Sequence, residues 1–395
     1  MIQKFLNKKS LVVIGINSGT SADSLDLAAV RITNKKPVLS VKFIQGKTVG
    51  FRRAFSDRLQ RAVVDRSLKL EDAMLLDREL GDLIGREAAK FTVALKKKKI
   101  TAHLVASHGQ TLRHLPGRFK ISGKPAHATI QIGHSESIAA RSGLCTVADF
   151  RQADIAVGGE GAPITSTAMW HLFSDKKRDR LLLNIGGIAN YFFIPAGAGP
   201  DKMIARDCGP GNSLIDLLAR KYFDRPYDSQ GKLALKGRVS QRLLTVLLSD
   251  DYLKGKFGPS TGRERFGEKF VDKIIRWSSK LKLNKYDIMA TTAELTAITI
   301  IDHIRRLGTK YKPEALYLFG GGARNRFIVE GLKQGLPGIK IDTVKKLGCD
   351  PDFVEAVCYA VMGAMSIRGK TGNAPGVTGA RKKVVCGKII NIFGE

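Results

Sequence analysis

Cysteine is scarce in this 395-residue chain: there are five, widely spaced, and no Cys-x-x-Cys pair occurs. This pattern argues against a disulfide framework or a zinc site and fits a reducing compartment. No apolar run approaches the roughly 20 residues of a membrane-spanning helix. The opening residues MIQKFLNKKS lack the apolar core and small-residue cleavage site of a signal peptide. We therefore predict a soluble, cytoplasmic protein with no membrane partner.

Acidic residues are also few, since 36 Asp and Glu stand against 66 Lys and Arg, for a net charge of +30. An excess of cations attracts nucleic acid, anionic lipid or small anions such as nucleotides and sugar acids. The basic residues are, however, spread along the chain without interleaved aromatic residues. That favours a solvated basic surface over a polyanion-binding protein, so nucleic acid is not an expected partner.

The order of apolar segments predicts an α/β protein built from two halves. Residues 11–32 and 180–194 each read as strand, Gly-containing turn and strand. Strands alternate with helical patterns in both halves, which is typical of α/β folds. The polar stretch 174–180 is the best linker candidate, so we predict domains at 1–176 and 177–395. Helices are expected at 70–98, 287–307 and 351–367, and strands at 103–111, 128–133 and 144–150. The last, strongly apolar helix is expected to pack back toward the first domain.

Three Gly-rich turns follow predicted strands, at Gly19, Gly186–Gly187 and Gly320–Gly322. Glycine lets backbone N–H groups approach a phosphate closely. None of the turns matches GxxxxGK[ST], and none is GxGxxG at a strand-to-helix turn, so P-loop and Rossmann sites are excluded. A hairpin needs glycine for its own geometry, which could explain any one turn. Three turns in two similar halves suggest a nucleotide held between two domains.

A phosphotransferase needs a carboxylate base and further carboxylates that hold Mg²⁺, usually through water. The acidic candidates near the loops are Asp23, Asp26, Asp149, Asp154 and Asp207. Asp154 is the most suggestive, because it follows a strand and precedes a Gly-rich turn. The alternative is that Asp149 and Asp154 only cap a helix or pair with Arg151.

A histidine in the segment SHGQTLRH offers a second candidate. His108 could contact a ligand or be a hydrogen-bonded core histidine, and the residues alone favour the core.

Nine motifs, in order, resemble the anhydro-N-acetylmuramic acid kinase family, part of the superfamily of acetate and sugar kinases, heat-shock ATPases and actin. The resemblance covers nearly the whole chain. The motifs are GTSADSLD (19–26), SHGQTLRHLP (107–116), ADFRQADIAVGGEGAP (148–163), NIGGIAN (184–190), DCGPGN (207–212), STGRE (260–264), ELTA (294–297), GGGARN (320–325) and VTGA (377–380).

The resemblance implies two actin-like, ribonuclease H-like domains with an ATP cleft between them, and dependence on Mg²⁺. It implies that water attacks the anomeric carbon of a 1,6-anhydro amino sugar while the released O6 takes the γ-phosphoryl group. The product would be N-acetylmuramic acid 6-phosphate, which enters cell-wall recycling. A homodimer is one expectation, because members of the family often dimerise.

The resemblance also implies roles for individual residues, with Asp154 as the catalytic base. Nucleotide contacts are expected from Gly19, Thr20, Ser21, Ala22, Asp23, Ser24, Leu25, Asp26, Gly186, Gly187, Asp207, Gly209, Gly211, Asn212, Gly320, Gly321 and Gly322. Sugar contacts are expected from His108, Gln110, Gly158, Gly159 and Glu294. The direct metal ligands are left unassigned.

Five positions depart from the family pattern. Asn17, Ala22 and Ser24 replace Met, Leu and Gly, His134 stands where Asp is usual, and Pro259 stands where Lys is usual. Ser24 is expected to cost backbone freedom, because a residue with a Cβ tolerates positive φ poorly. A related anhydro sugar therefore remains an alternative substrate, and a non-catalytic protein that binds ATP and sugar remains an alternative class.

Overall fold

A computed structural model describes residues 2–19, 22–35, 37–65, 67–253, 262, 265–308, 311 and 313–392. The predicted contacts Thr20 and Ser21, the departure Pro259 and all of the STGRE motif except Gly262 lie outside the described residues. The chain divides into two compact units. Unit 1 comprises Met1–Ser174, Gly197–Met203 and Gly348–Glu395, and unit 2 comprises Asp175–Ala196 and Ile204–Leu347. Among the described residues, no helix has the length and apolarity needed to cross a membrane.

The described residues form runs of strands and runs of helices that follow one another along the chain. The strands are β1 (Ser10–Asn17), β2 (Ser24–Thr33), β3 (Ser40–Gly50), β4 (Leu104–Ser107), β5 (Gln110–Ile121), β6 (Lys124–Ile132), β7 (Cys145–Ala148), β8 (Arg180–Ile185), β9 (Ile188–Ile194), β10 (Ile204–Pro210), β11 (Ala315–Phe319), β12 (Lys340–Thr343) and β13 (Lys388–Ile390). The helices are α1 (Ile2–Leu6), α2 (Arg53–Val64), α3 (Leu70–Lys97), α4 (Ser135–Ser142), α5 (Gln152–Ala156), α6 (Ser166–Phe173), α7 (Ser213–Phe223), α8 (Gln241–Leu248), α9 (Glu268–Lys280), α10 (Lys285–Gly308), α11 (Arg326–Gly335), α12 (Val354–Ile367) and α13 (Pro375–Thr378).

The main sheet of unit 1 has the strand order β3-β2-β1-β4-β7-β13 in the described part of the chain. The central strand β1 runs antiparallel to β2 and parallel to β4, so Ile14 lies opposite Ala29 and Val105. Its sequence SLVVIGIN is almost wholly buried, as expected for a strand covered on both faces. Strands β5 and β6 pair with each other in a separate sheet.

Unit 2 repeats this arrangement with the order β10-β9-β8-β11-β12 in its described residues. Its central strand β8 is antiparallel to β9 and parallel to β11, so Leu183 lies opposite Tyr191 and Leu318. Both central strands therefore have the same pairing, with a hairpin partner on one side and a parallel strand on the other. This confirms the predicted α/β class with two related halves.

Residues 348–395 belong to unit 1, although the sequence places them in the second domain. Strand β13 extends the sheet of unit 1, with Ile389 opposite Val147. Helix α12 packs on β1, β2 and β4. Small residues permit this packing, since a Cβ built on Gly15 would lie 1.9 Å from the Ala356 carbonyl oxygen. The prediction and the structure differ because this segment completes the sheet of unit 1. The other predicted boundary, at 176, lies close to Ser174, where the N-terminal part of unit 1 ends.

The longest predicted helices agree with α3, α10 and α12 to within three residues at each end. The predicted strand at 103–111 is instead split into β4 and β5. The break falls at His108 and Gly109, where Gly109 has φ of +68°, a conformation that glycine adopts without steric cost.

Candidate functional site

Asp154 lies in the short helix α5, directly after β7, and its side chain is fully buried at 0% exposure. Asn373 Nδ2 and Thr378 Oγ1 each donate a hydrogen bond to Asp154 Oδ1 at 2.8 Å. The backbone N–H of Gly161 donates to Asp154 Oδ2 at 2.9 Å. These donors offset the cost of burying a charged carboxylate and hold it in one orientation.

The Gly-rich turn after α5 packs directly against this carboxylate. A Cβ built on Gly159 would lie 2.2 Å from Asp154 Oδ2 and 2.9 Å from the Ala380 methyl group. Gly158 has φ of +87°, and a Cβ on it would lie 3.1 Å from Arg381 Nε. The turn therefore requires glycine for its contacts with Asp154 and Arg381. Sugar contacts at Gly158 and Gly159 stay a prediction.

Arg151 forms an ion pair with neither aspartate among the described residues, so the part of the alternative that invokes pairing with Arg151 is wrong. Asp149 forms an ion pair with Lys388 at 2.6 Å. Arg151 Nε instead donates to His108 Nε2 at 3.0 Å, and Arg151 Nη1 donates to the Gly161 carbonyl oxygen at 2.8 Å. Arg151 thus links the His108 segment to the turn that contacts Asp154.

His108 is buried and stacks on Tyr359, with 4.6 Å between ring centroids. Burial, and then the charge of Arg151, hold the pKa of His108 well below its ordinary value of 6.5. The imidazole is therefore neutral at physiological pH, and its Nε2 accepts from Arg151. His108 is a core histidine connected to the site, and its contact with the sugar stays a prediction.

Gln110 joins the same region to the first Gly-rich loop. Its Oε1 accepts a hydrogen bond from Ser18 Oγ at 2.7 Å, and both side chains are buried. In the loop itself, the Gly19 carbonyl oxygen accepts from the Ala22 N–H at 3.1 Å. The residue with positive φ is Ala22, at +52°. Ser24 starts β2 and pairs with Gly50, so the expected backbone cost at Ser24 is wrong and applies to Ala22.

The remaining predicted residues of this loop differ in exposure. Leu25 is fully buried in the core of unit 1, so its side chain is not free to contact a nucleotide. Asp23 is exposed. Asp26 is half-buried and accepts a hydrogen bond from Thr48 Oγ1 at 2.6 Å. Burial raises the pKa of Asp26 above 3.8, the bond from Thr48 opposes this, and the charges of Asp352 and Asp23 add to the rise.

Glu355, in the first turn of α12, is a carboxylate beside this loop that the sequence reasoning missed. Asn17 Nδ2 donates to Glu355 Oε2 at 2.6 Å. Desolvation by the surrounding protein, followed by the charge of Asp26, raises the pKa of Glu355 above 4.5. The residue is nevertheless exposed, so solvent reduces this rise. Perturbed carboxylates of this kind cluster at functional sites. The signal was available, because Glu355 is the one charged residue in the apolar sequence of α12.

The departure at His134 has a structural explanation. His134 is the N-cap of α4, and its Nδ1 accepts from the Ser137 N–H at 3.2 Å. Aspartate is a preferred N-cap residue, and His134 supplies an N-cap hydrogen bond here through its imidazole.

Three predicted segments come together in unit 2. The Gly186 carbonyl oxygen accepts from the Asn212 N–H at 2.8 Å, and Asn212 Nδ2 donates to the Ile185 carbonyl oxygen at 3.0 Å. A Cβ on Gly211 would lie 2.2 Å from the Gly186 carbonyl oxygen. A Cβ on Gly320, where φ is +79°, would lie 2.4 Å from Asn184 Oδ1. The loops after β8, β10 and β11 therefore touch one another through glycine backbones.

The other predicted residues of these loops follow the same pattern. Gly187 accepts the Ser213 N–H at 3.1 Å through its carbonyl oxygen. Asp207 lies at a register shift of β10, and Gly209 just after it has φ of +132°. Gly322 packs on Ile185, whereas a Cβ on Gly321 would meet no atom closer than 4.0 Å. Gly321 thus leaves open space beside its backbone.

Glu294 lies on α10 in unit 2 and is half-buried. Burial raises its pKa above 4.5. Its Oε2 lies 3.8 Å from the position of a Cβ on Gly331 in α11. The side chain therefore lies beside α11, and its contact with the sugar stays a prediction.

Each unit thus has glycine-rich features of its own. Unit 2 has the touching loops at Gly186, Gly211 and Gly320, and unit 1 has the buried Asp154 carboxylate beside a Gly-rich turn. Close backbone approach at glycine loops is typical of phosphate-binding proteins. A family model described as anhydro-N-acetylmuramic acid kinase matches residues 11–392. The chain belongs to this family.

Curated relatives agree over nearly the full length. The anhydro-N-acetylmuramic acid kinase of Caldanaerobacter subterraneus subsp. tengcongensis is 33% identical over 392 residues, covering 98% of this chain and 98% of the relative. That of Coxiella burnetii is 36% identical over 381 residues, covering 95% and 96%. Among solved structures, a ROK family glucokinase from Streptomyces griseus in complex with glucose and AMPPNP is 12% identical, covers 89% of this chain and 98% of its own, and has a TM-score of 0.38. The activator of the 2-hydroxyisocaproyl-CoA dehydratase from Clostridium difficile with bound ADPNP is 11% identical, covers 91% and 96%, and has a TM-score of 0.43.

Proposed function

We propose that this chain is an ATP-dependent kinase that opens the 1,6-anhydro ring of anhydro-N-acetylmuramic acid with water and phosphorylates O6. The family assignment over residues 11–392 supports the substrate and the reaction class. The observation that carries the mechanism is the buried Asp154 carboxylate, held by Asn373, Thr378 and Gly161.

In the proposed reaction, Asp154 takes a proton from a water molecule. The water oxygen forms a bond to C1 of the sugar, and the bond between C1 and O6 breaks. The released O6 forms a bond to the γ-phosphorus of ATP, and ADP leaves. Water, sugar and ATP thus become N-acetylmuramic acid 6-phosphate, ADP and a proton.

Hydrogen bonding favours Asp154 Oδ2 as the atom that takes the proton. Oδ1 already accepts from Asn373 and Thr378, whereas Gly161 N is the single donor to Oδ2 among the residues that the structure describes. Because Asp154 is fully buried, water reaches Oδ2 only after a local movement. The turn at 158–161 is the natural element to move, since glycines with positive φ occupy both of its ends.

The glycine loops of unit 2 would bind the phosphates of ATP through backbone N–H groups, because a Cβ on Gly211, Gly320 or Gly322 would clash with neighbouring atoms. Mg²⁺ fits carboxylates that need a counter-charge, and it commonly keeps several waters while binding one or two carboxylates and the phosphates of the substrate. Asp26 and Glu355 have this chemistry. Burial raises the pKa of both carboxyl groups, and the charge of Asp26 raises that of Glu355 further. The described residues contain no cluster of three or more metal-ligating side chains. Bound Mg²⁺ would neutralise phosphate charge during transfer.

A labelling assay tests the reaction. The protein is incubated with ATP, Mg²⁺ and anhydro-N-acetylmuramic acid in ¹⁸O-water, and the product is analysed by mass spectrometry. We expect a sugar 6-phosphate that carries one heavy oxygen at C1. Asp154→Asn should lower kcat by about 10²–10⁴-fold, the range for loss of general base catalysis.

Asp149→Asn is the matched control, because Asp149 lies in the same segment and pairs with Lys388. Its φ of +57° suits asparagine, which tolerates that conformation. The control should retain most activity. A product without label, or an Asp154→Asn variant as active as the control, would contradict the mechanism.

Two further elements belong to the proposal. We place the enzyme in the cytoplasm because all five cysteines are free and buried, a state that a reducing compartment maintains. We also propose a homodimer, which the molar mass from light scattering tests directly.

A further inference from the structure

Arg381 lies beside the turn that packs on Asp154. It follows Ala380, whose methyl group lies 2.9 Å from the position of a Cβ on Gly159, next to the carboxylate. Its guanidinium covers Gly158, with Nε at 3.1 Å and Nη2 at 3.5 Å from the position of a Cβ there. The Arg381 N–H donates to the Val157 carbonyl oxygen at 2.9 Å. The backbone thus fixes Arg381 next to the proposed base.

The guanidinium of Arg381 has no ion-pair partner among the described residues, and the residue is exposed. Within the described part of the chain, its side chain makes one hydrogen bond, from Nε to the Val157 carbonyl oxygen, and that bond is long at 3.4 Å. Most N–H donors of the Arg381 guanidinium are therefore available to bind a ligand.

Other cations near the turn are already engaged. Lys383 pairs with Asp201 at 2.6 Å, and Lys388 pairs with Asp149 at 2.6 Å. Arg151 donates to His108 and to the Gly161 carbonyl oxygen. Arg381 is thus the guanidinium near Asp154 that can accept an anion without breaking an existing pair.

We propose that Arg381 binds the carboxylate of the sugar acid and makes the site prefer an acidic anhydro sugar over a neutral one. This inference rests on the proposed function, which supplies the substrate class. A planar guanidinium matches a carboxylate with two parallel hydrogen bonds, which gives geometric selection as well as charge attraction.

Glu160 lies in the same turn, and it opposes this selection. Its N–H donates to the Thr378 carbonyl oxygen at 2.8 Å, and its carboxylate forms no ion pair with the described residues. A carboxylate at this position repels an acidic ligand. Glu160→Gln removes a negative charge, whereas Arg381→Gln removes a positive one. Glu160→Gln should therefore strengthen the preference for the acidic sugar that Arg381 creates.

Equilibrium binding separates the two forms of the ligand. The dissociation constants of 1,6-anhydro-N-acetylmuramic acid and its methyl ester are measured by calorimetry for the wild type, Arg381→Gln and Lys382→Gln. Lys382 is the matched control, because it is exposed, adjacent and of the same charge. We expect the wild type to prefer the acid by about tenfold or more. Arg381→Gln should reduce this to about twofold, and Lys382→Gln should leave it unchanged. Higher salt should weaken the preference of the wild type.

The outcomes distinguish this inference from the proposed function. Equal binding of acid and ester by the wild type, or an unchanged preference in Arg381→Gln, overturns the role of Arg381. An equal loss in Lys382→Gln overturns it too, because the general field of the basic chain then explains the effect. If the enzyme phosphorylates the acid and the ester equally well, the proposed kinase activity stands and the role of Arg381 is rejected. If binding depends on Arg381 but no sugar is phosphorylated, the role of Arg381 stands and the proposed kinase activity is rejected.

Discussion

Thr378 Oγ1 donates a hydrogen bond to Asp154 Oδ1 over 2.8 Å, although 224 positions separate the two residues in the sequence. Both side chains are buried. The hydroxyl therefore holds the carboxylate of the proposed base in its orientation.

Thr378→Val removes this hydroxyl while keeping the shape of the side chain. Loss of a buried hydrogen bond to a charged group costs about 1–3 kcal/mol, and the loosened carboxylate should lower kcat by about 10–100-fold. Steady-state kinetics should show little change in KM, and Thr378→Ser should restore most of kcat. A variant that changes KM alone, or a serine that restores nothing, would reject the positioning role.

Gly159→Ala tests the contact between the turn and Asp154. The new methyl group would lie 2.2 Å from Oδ2, so either the carboxylate or the turn must move. Overpacking of this kind costs about 1–3 kcal/mol, and kcat should fall by at least about tenfold.

Gly199→Ala is the control for that substitution. Its φ is −80°, and no atom lies within 4 Å of the new Cβ, so activity and Tm should remain close to those of the wild type. Equal activity of the two alanine variants would contradict the described packing.

Two neighbouring glycines in unit 2 should respond differently to alanine. Gly320→Ala places a Cβ 2.4 Å from Asn184 Oδ1 at a φ of +79°, and strained backbone of this kind costs about 1–3 kcal/mol. Gly321→Ala meets no atom closer than 4.0 Å. Thermal denaturation should therefore show a lower Tm only for Gly320→Ala.

If ATP occupies the open space at Gly321, Gly321→Ala should raise the KM for ATP at unchanged Tm. An unchanged KM would remove Gly321 from the nucleotide site.

Asp26→Asn should stabilise the protein at neutral pH. The folded state raises the pKa of Asp26 above 3.8, so it holds this proton more tightly than the unfolded chain does. The wild type therefore loses stability as the pH rises from 3.8 through the pKa of the folded state. Asparagine cannot ionise, and its carbonyl oxygen can still accept from Thr48.

Thermal denaturation between pH 4 and pH 8 measures this effect. The Tm of Asp26→Asn should exceed that of the wild type at pH 7, and the gap should close toward pH 4. Asp352→Asn removes one of the charges that raise the pKa of Asp26, so it should give a smaller gain of the same sign. A gap that is independent of pH would contradict the assigned cause. Activity should fall in Asp26→Asn, since the proposed Mg²⁺ site loses a carboxylate.

Local sequence patterns predicted the elements whose signals are local. Helix α3 begins with Glu71 and Asp72 in its first turn and ends with Lys96 and Lys97 in its last, charges that suit the helix dipole. The first strand of each half and the glycine turns could be predicted equally well, because strand periodicity and turn chemistry depend on a few neighbouring residues.

The partners of Asp154 could not be predicted in this way. Asn373 lies 219 positions away, and no local pattern connects it to the carboxylate. The sequence placed residues 348–395 in the second domain for the same reason. The pairing of β13 with β7, which joins them to unit 1, is a long-range contact that no local pattern reveals. Glu355 is different, because an isolated acid in an apolar helix is visible in the sequence and was overlooked.

Residues 348–395 belong to unit 1 but follow unit 2 in the sequence, so during translation unit 2 is synthesised in full before unit 1 is complete. The nascent chain releases all of Asp175–Ala196 and Ile204–Leu347 before Asn373, Thr378 and β13 emerge from the ribosome. Domains usually form in the order of synthesis, yet here the inserted unit can mature while the unit that surrounds it is still unfinished. A polypeptide interrupted before residue 373 would contain a complete unit 2 and an Asp154 without its two side-chain donors.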